Sequence, residues 1–139
     1  HSGGHHLVNR TDPPDGTALT VPARTVDGWL AALGVDPELV TFVKVDVQGW
    51  EAHVLDGAAE LLAHRHVAWQ MEVSPSLLQQ AGTGVTGLYE RLRRHFNRFT
   101  DLSKERAGAH GRATTELEEA LAYLAESRHA QTDLLLFNS

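Results

Sequence analysis

The stretch that decides the fold is "FVKVDVQGWEAHVLDGA", residues 42–58. Its beginning belongs to a nearly continuous apolar run, residues 39–47, which is typical of a strand buried on both faces of a parallel sheet. Gly49 then predicts a turn, and the apolar residues after it recur at helical spacing, which predicts a helix of about three turns. The run nevertheless contains Lys44 and Asp46, and Glu51 heads the helix, so packing alone does not explain this stretch.

Strands and helices alternate along the rest of the chain. Apolar spacing predicts a helix over 26–33, capped by Thr25 and ended by Gly34. Downstream, the pattern predicts strands at 67–73, 98–103 and 132–138, with helices at 87–96 and 115–128. Thr115 and Glu118 have capping-box spacing at the start of the last helix. This alternation predicts an α/β fold, a sheet with helices packed on both faces.

The predicted strand over residues 41–47 lacks a strand partner before it. Residues 1–24 are predicted to form a loop and a short strand that Pro22 confines to a sheet edge, and residues 25–139 the α/β core of one domain. A long apolar strand left at an edge is a template for aggregation. We therefore expect further strands to cover this edge, either from an N-terminal half that this chain lacks or from a partner chain.

Composition narrows the possible partners. The 139 residues include 12 Lys+Arg and 18 Asp+Glu, with the basic residues scattered, so no nucleic-acid partner is expected. The chain has no cysteine, which excludes thiolate metal sites and suits the reducing cytoplasm, the predicted location. No apolar run approaches the roughly 18 residues that span a bilayer, so no membrane partner is expected. The histidines, including His5 and His6, lack ligand spacing, and no metal is predicted.

Three carboxylates are predicted to meet at one rim of the sheet. In open α/β sheets, ligands bind at the carboxyl ends of the strands. Asp46 ends one strand, Glu51 lies in the first turn of the following helix, and Glu72 ends the next strand. The structural alternative is that Asp46 caps the helix and Glu51 favours its positive end. Lys44 is expected to pair with a carboxylate, because an unpaired charge within a sheet is costly.

Two segments carry a family resemblance. "TVDGWLAALGVDPELVTFVKVDVQGWEAHVLDGAAELL", followed by "VAWQMEVS", resembles the second half of the FkbM-type methyltransferases, which use S-adenosylmethionine. The departures are mild, with Val26 in place of leucine and Gln48 where glutamate is common. The resemblance implies a Rossmann-like class I methyltransferase fold, a mixed sheet of seven strands whose last strand runs antiparallel. This chain would supply the part from the fourth strand onward.

The resemblance also implies a function and a cofactor. The expected activity is S-adenosylmethionine-dependent methyl transfer to a small-molecule acceptor, as O-methylation of a sugar or secondary metabolite. Asp46 is expected to face the reacting centre, with Glu51 and Glu72 shaping the acceptor or cofactor side. Asp46, Val47, Gln48 and Gly49 are the expected cofactor contacts. The family's glycine-rich turn and its acidic residue on the second strand have no counterpart in residues 1–40.

Two rival functions remain open at this point. One is a noncatalytic or degenerate methyltransferase-like binding module. Alternatively, "GTGVTG", from Gly82 to Gly87, fits the glycine pattern of nicotinamide-dinucleotide-binding domains, with Asp101 further along. That pattern normally follows its strand directly, whereas "SPSLLQQA" intervenes here. A glycine-rich loop before a helix is the structural alternative.

Overall fold

The computed structural model describes residues 22–104, 111–126 and 131–139. Within them, five strands form one sheet in the order β1-β2-β5-β3-β4. The strands are β1 (Phe42–Val45), β2 (Ala68–Val73), β3 (Arg98–Asp101), β4 (Arg112–Ala113) and β5 (Thr132–Phe137). β1 and β2 are parallel, and β5 runs antiparallel between β2 and β3. The mixed sheet confirms the predicted α/β class, including the antiparallel last strand.

Helices connect the strands. The helices are α1 (Val26–Leu33), α2 (Glu51–Asp56), α3 (Ala59–Ala63), α4 (Pro75–Gln80), α5 (Gly84–His95) and α6 (Leu117–Glu126), with short 3-10 helices at Pro37–Leu39 and Thr114–Glu116. α2 and α3 lead from β1 to β2, and α4 and α5 lead from β2 to β3. α1 contacts α3, α3 contacts α2, and α2 contacts α5, which also meets α4 and α6. The described helices therefore form one continuous layer.

One face of the sheet is buried under this layer. Alternate residues of β2 and β5 have almost no exposed surface, and they pair across the strands: Trp69 with Leu136, and Met71 with Leu134. The opposite face, which includes Gln70 and Glu72, is only half-buried. The sequence predicted helices on both faces, whereas the described helices cover one. The β1-to-β2 and β2-to-β3 connections step in the same direction along the sheet, and right-handed crossovers then fall on the same side.

Several predicted element bounds differ from the structure. The predicted helix after Gly49 is split into α2 and α3 at Gly57, which packs closely on Thr25: an added Cβ would be 3.2 Å from Thr25 Cβ, a tight contact. Pro75 begins α4, a helix that the sequence did not predict, although proline is favoured in a first helical turn. β4 was also not predicted. The predicted short strand before α1 falls almost entirely outside the described residues.

The capping prediction for α6 was wrong. A 3-10 turn, Thr114–Glu116, precedes the helix. The N-cap of this turn is Ala113, which makes no side-chain capping bond. Thr114, the neighbour of the predicted cap Thr115, is buried and donates its hydroxyl to the carbonyl of Phe96 at 2.9 Å. Packing against the end of α5 therefore sets this helix start, in place of a local capping box.

β1 lies at an edge of the described sheet. Its only paired neighbour among the described residues is β2. The strand is shorter than the predicted run because the chain forms a 3-10 turn over Pro37–Leu39 just before it. Phe42 is 50% exposed, and a group of exposed apolar side chains lies in the same part of the chain: Trp29, Leu33, Val35 and Leu39. The strand is therefore not buried on both faces in the described part of the chain.

Candidate functional site

A tight turn follows β1 and shapes the candidate site. The amide of Trp50 donates to the carbonyl of Val47 at 3.3 Å, and both central residues have positive φ, 52° at Gln48 and 101° at Gly49. These are the φ values of a type I′ turn. Among the described residues, Gln48 is the one non-glycine residue with positive φ. The turn reverses the chain so that α2 starts directly at the carboxyl end of β1.

Gly49 confirms the turn that the sequence predicted and has a further constraint. A Cβ built on this residue would lie 2.4 Å from the backbone carbonyl oxygen of Leu77 in α4. Since the carbonyl belongs to the backbone, it cannot rotate away as a side-chain tip would. Any larger residue would therefore push α4 off the turn in addition to straining φ.

Gln48 connects two of the predicted carboxylates. Its Nε2 donates to Asp46 Oδ1 at 3.0 Å and to Glu72 Oε1 at 3.3 Å. Asp46 is exposed and Glu72 is half-buried, so both carboxylates are open to a ligand at the rim of the sheet. The structure thus brings Asp46 and Glu72 together, with Gln48 between them.

Glu51 occupies a different environment from the other two carboxylates. It is 1% exposed, and its Oε1 accepts the Gly49 amide at 2.9 Å. Its Oε2 is buried and lacks a hydrogen-bond partner. Burial raises the pKa of Glu51; the amides of Gly49 and Glu51 oppose this, and Asp46 and Glu72 add to it through like-charge repulsion. Glu51 therefore stabilises the turn from its buried side, through the Gly49 amide, and its carboxylate is not exposed at the rim.

More acidic groups lie along the same rim. Because β5 is antiparallel, its first residues lie beside the carboxyl end of β2, and Asp133 is directly opposite Glu72. Asp133 accepts a hydrogen bond from Gln70 at 3.0 Å. Lys44 Nζ lies 3.6 Å from Asp46 Oδ2, which confirms the predicted pairing, although both side chains are largely exposed. A surface pair of this kind leaves most of the negative field of the rim in place.

Asp101 ends β3 on this rim but already has its full set of partners. The buried carboxylate accepts the Thr132 hydroxyl and the Ser103 amide, and Lys104 Nζ lies 3.6 Å away. These contacts tie the end of β3 to the start of β5. Asp101 therefore stabilises the junction of β3 and β5, a structural role that accounts for this carboxylate without a dinucleotide.

The remaining sequence candidates do not build a second site. The glycine run from Gly82 to Gly87 follows α4, not a strand, and α5 begins within it at Gly84, so the described fold lacks the strand-turn-helix context of a dinucleotide fingerprint. In the described ranges, no cluster of three or more His, Asp or Glu could hold a metal ion. His5 and His6 lie outside those ranges. The Trp50 ring packs 4.6 Å from that of His53, beside the turn.

The sequence predicted the positions of the candidate residues in the fold better than their contacts. Asp46, Gly49 and Glu72 lie where strand ends and turn residues indicated. The bridging contact of Gln48 was missed, because it depends on the pairing of β1 with β2. Asp133 was also missed, although an antiparallel last strand places its first residues on this rim.

Comparison with known proteins gives one match. The sequence model described as the methyltransferase FkbM domain matches residues 3–126, which include the turn, Asp46 and Glu72. No curated protein and no solved structure matches the chain. Within the described residues, no helix is long and apolar enough to cross a membrane.

Proposed function

Because the chain belongs to the methyltransferase FkbM domain family, we propose that its rim transfers a methyl group from S-adenosylmethionine to a hydroxyl of a small molecule, a sugar or secondary metabolite. The observation that carries this proposal is the pair of accessible carboxylates, Asp46 and Glu72, held 3.0 and 3.3 Å from one amide nitrogen at the strand ends. Ligand sites in open α/β sheets lie at this end of the strands.

Asp46 is the proposed general base. Methyl transfer to a hydroxyl requires the acceptor to be held in line and its proton to be removed. An exposed carboxylate at the end of β1 can accept that proton, while Glu72 accepts a hydrogen bond from a second hydroxyl and orients the acceptor. Glu51 contributes indirectly by holding the Gly49 amide and hence the turn.

The chemistry of the rim suits the cofactor. S-adenosylmethionine supplies an activated methyl group on a positively charged sulfonium. The carboxylates of Asp46 and Glu72 attract that positive charge. Lys44 pairs with Asp46 but is largely exposed, so it offsets little of the negative charge at the rim. The backbone of Val47, Gln48 and Gly49 is the segment we propose to lie against the cofactor. In the complete seven-stranded sheet that the resemblance implies, the family's other anchoring groups lie on the first two strands, which would precede β1. They have no counterpart in residues 1–40.

We further propose that this chain forms the later part of the methyltransferase domain. Among residues 22–104, 111–126 and 131–139, β1 has no strand on its outer edge, the sheet face around Gln70 is only half-buried, and Phe42 is 50% exposed. Additional strands and helices, from an N-terminal half or a partner chain, would cover both surfaces. The proposed compartment is the cytoplasm, in keeping with a chain that has no cysteine.

A ligand titration tests where the cofactor binds. We expect S-adenosylmethionine, added at millimolar concentration to the isotopically labelled chain, to shift the amide resonances of Val47 to Trp50. Binding should be weak, because few anchoring groups are present. Asp36→Asn, a change on the 3-10 turn before β1, is the control that should leave these shifts unchanged.

The same titration decides between the rival functions. If the oxidised nicotinamide dinucleotide shifts the amides from Gly82 to Gly87 and S-adenosylmethionine shifts none, the dinucleotide-binding function replaces the proposed one. If neither ligand shifts any resonance, a noncatalytic binding module is favoured. Shifts confined to the turn by S-adenosylmethionine support methyl transfer.

A further inference from the structure

We propose that Gln48 is a positioning residue whose side-chain amide holds Asp46 and Glu72 together as one two-carboxylate site. The inference rests on the proposed function for the role of that pair. Its structural basis is the contact of one nitrogen with both carboxylates, at 3.0 and 3.3 Å. These two hydrogen bonds together are the Gln48 bridge.

The backbone at Gln48 is a poor place for glutamine. Its φ of 52° lies in the left-handed region, which is unfavourable for an ordinary side chain. Glycine, asparagine and aspartate are favoured at this position of a type I′ turn. The turn alone therefore does not explain glutamine. Strain of this kind persists where the surrounding structure holds it, and it concentrates at functional sites.

The chemistry of the partners fixes the orientation of the amide. Both partners of the Gln48 side chain are carboxylate oxygens, which only accept hydrogen bonds when ionised. The nitrogen has two protons and can donate one to each carboxylate, whereas the amide oxygen could donate to neither. Asparagine would suit the turn better, but its side chain is one methylene too short to span both carboxylates.

The bridge has a consequence for the site. Asp46 and Glu72 repel each other, and the like-charged Asp133 lies opposite Glu72 in the adjacent strand. Lys44 offsets part of the charge of Asp46, and Gln70 donates to Asp133. Without the Gln48 amide, the two carboxylates would move apart into solvent. Gln48 therefore sets the spacing at which the pair meets an acceptor.

Two variants distinguish the effect of residue 48 on the turn conformation from the effect of its side-chain hydrogen bonds. Gln48→Asn improves the turn and removes the span, so its unfolding equilibrium constant should fall by a factor of about 3 relative to the unchanged chain. Gln48→Met keeps the length of the side chain but has no donors, and it should gain no stability. In the methyl-transfer reaction, both variants should lower kcat about tenfold, because Asp46 and Glu72 lose their fixed spacing.

A spectroscopic signature tests the bridge without any activity. The Nε2 protons of Gln48 should exchange with solvent more slowly than those of the exposed Gln80, and Glu72→Gln should remove part of that protection. An exchange rate like that of Gln80, unchanged by Glu72→Gln, would overturn the proposal. If the protein expressed from the whole reading frame transfers no methyl group but the signature is present, the proposed function fails while the bridge stands.

Discussion

At the scale of single residues, the type I′ turn and its contacts determine the site. Gly49 is required by its φ of 101° and by the Leu77 carbonyl, and Glu51 accepts its amide. Glu51 is a buried acid that gives up hydration for this one bond, and its second oxygen has no partner. Such an arrangement makes the stability of the fold depend on pH.

Glu51→Gln should reveal this dependence. Burial raises the pKa of Glu51 above its ordinary value of 4.5, so the folded chain binds this proton more tightly than the unfolded chain. The stability from Glu51 is then complete below about pH 4.5 and is lost as the pH rises through the raised pKa, by up to about 1.4 kcal/mol per pH unit. Glutamine still accepts the Gly49 amide and does not titrate.

Urea unfolding of both proteins between pH 4 and pH 8 measures the effect. The stability of the unchanged chain should fall relative to that of Glu51→Gln over this range. A difference that stays constant with pH, or that grows in favour of the unchanged chain, would show that Glu51 is not a buried acid with a raised pKa.

At the scale of elements, α1 and α3 depend on a capping bond that crosses between them. α3 has no side-chain cap of its own. The Asp27 carboxylate of α1 accepts the amides of Glu60 and Leu61 at 2.9 and 3.2 Å, and the Asp27 amide donates to the Gly57 carbonyl at 3.1 Å. These bonds place α3 at an angle to α2 and explain why one predicted helix is two in the structure.

Asp27→Ala should therefore destabilise the fold by about 1–2 kcal/mol, because it leaves two helix amides without their acceptor. The matched control is Asp36→Ala. Asp36 caps only the exposed 3-10 turn, through the Glu38 amide at 3.0 Å, so its loss should cost about half as much or less. Thermal unfolding of both variants checks the difference, and equal losses would show that the bond between the helices contributes nothing beyond a local cap.

Local signals predicted some elements well and failed where distant contacts decide. The bounds of α1 were predicted, because Thr25 accepts the Gly28 amide and Gly34 adopts left-handed φ within the helix's own sequence. The break at Gly57 and the wrong cap at Thr115 both depend on residues far along the chain. The same holds in the site, where Asp46 could be found from its strand, but its bridge to Glu72 requires the register of β1 and β2.

At the scale of the whole molecule, the described part of the chain builds a sheet with its helices on one face and an acidic rim at the strand ends. The helices cover one face of the sheet, and the acidic rim lies at the carboxyl ends of β1, β2 and β3. In the part of the chain that the structure describes, no element covers the other face or the β1 edge, and Phe42 and Leu39 are exposed. The account places the methyl acceptor at this rim and expects additional strands beyond β1 to complete the cofactor site.

The most direct measurement is methyl transfer by the protein expressed from the whole reading frame that encodes this chain. It uses S-adenosylmethionine labelled in the methyl group, neutral monosaccharides as acceptors, and Asp46→Asn as the variant. The account predicts label in an acceptor and a loss of turnover of about a hundredfold or more in Asp46→Asn, since general-base catalysis contributes about 10²–10⁴-fold. Equal turnover in the two proteins, or no label in any acceptor, would contradict it.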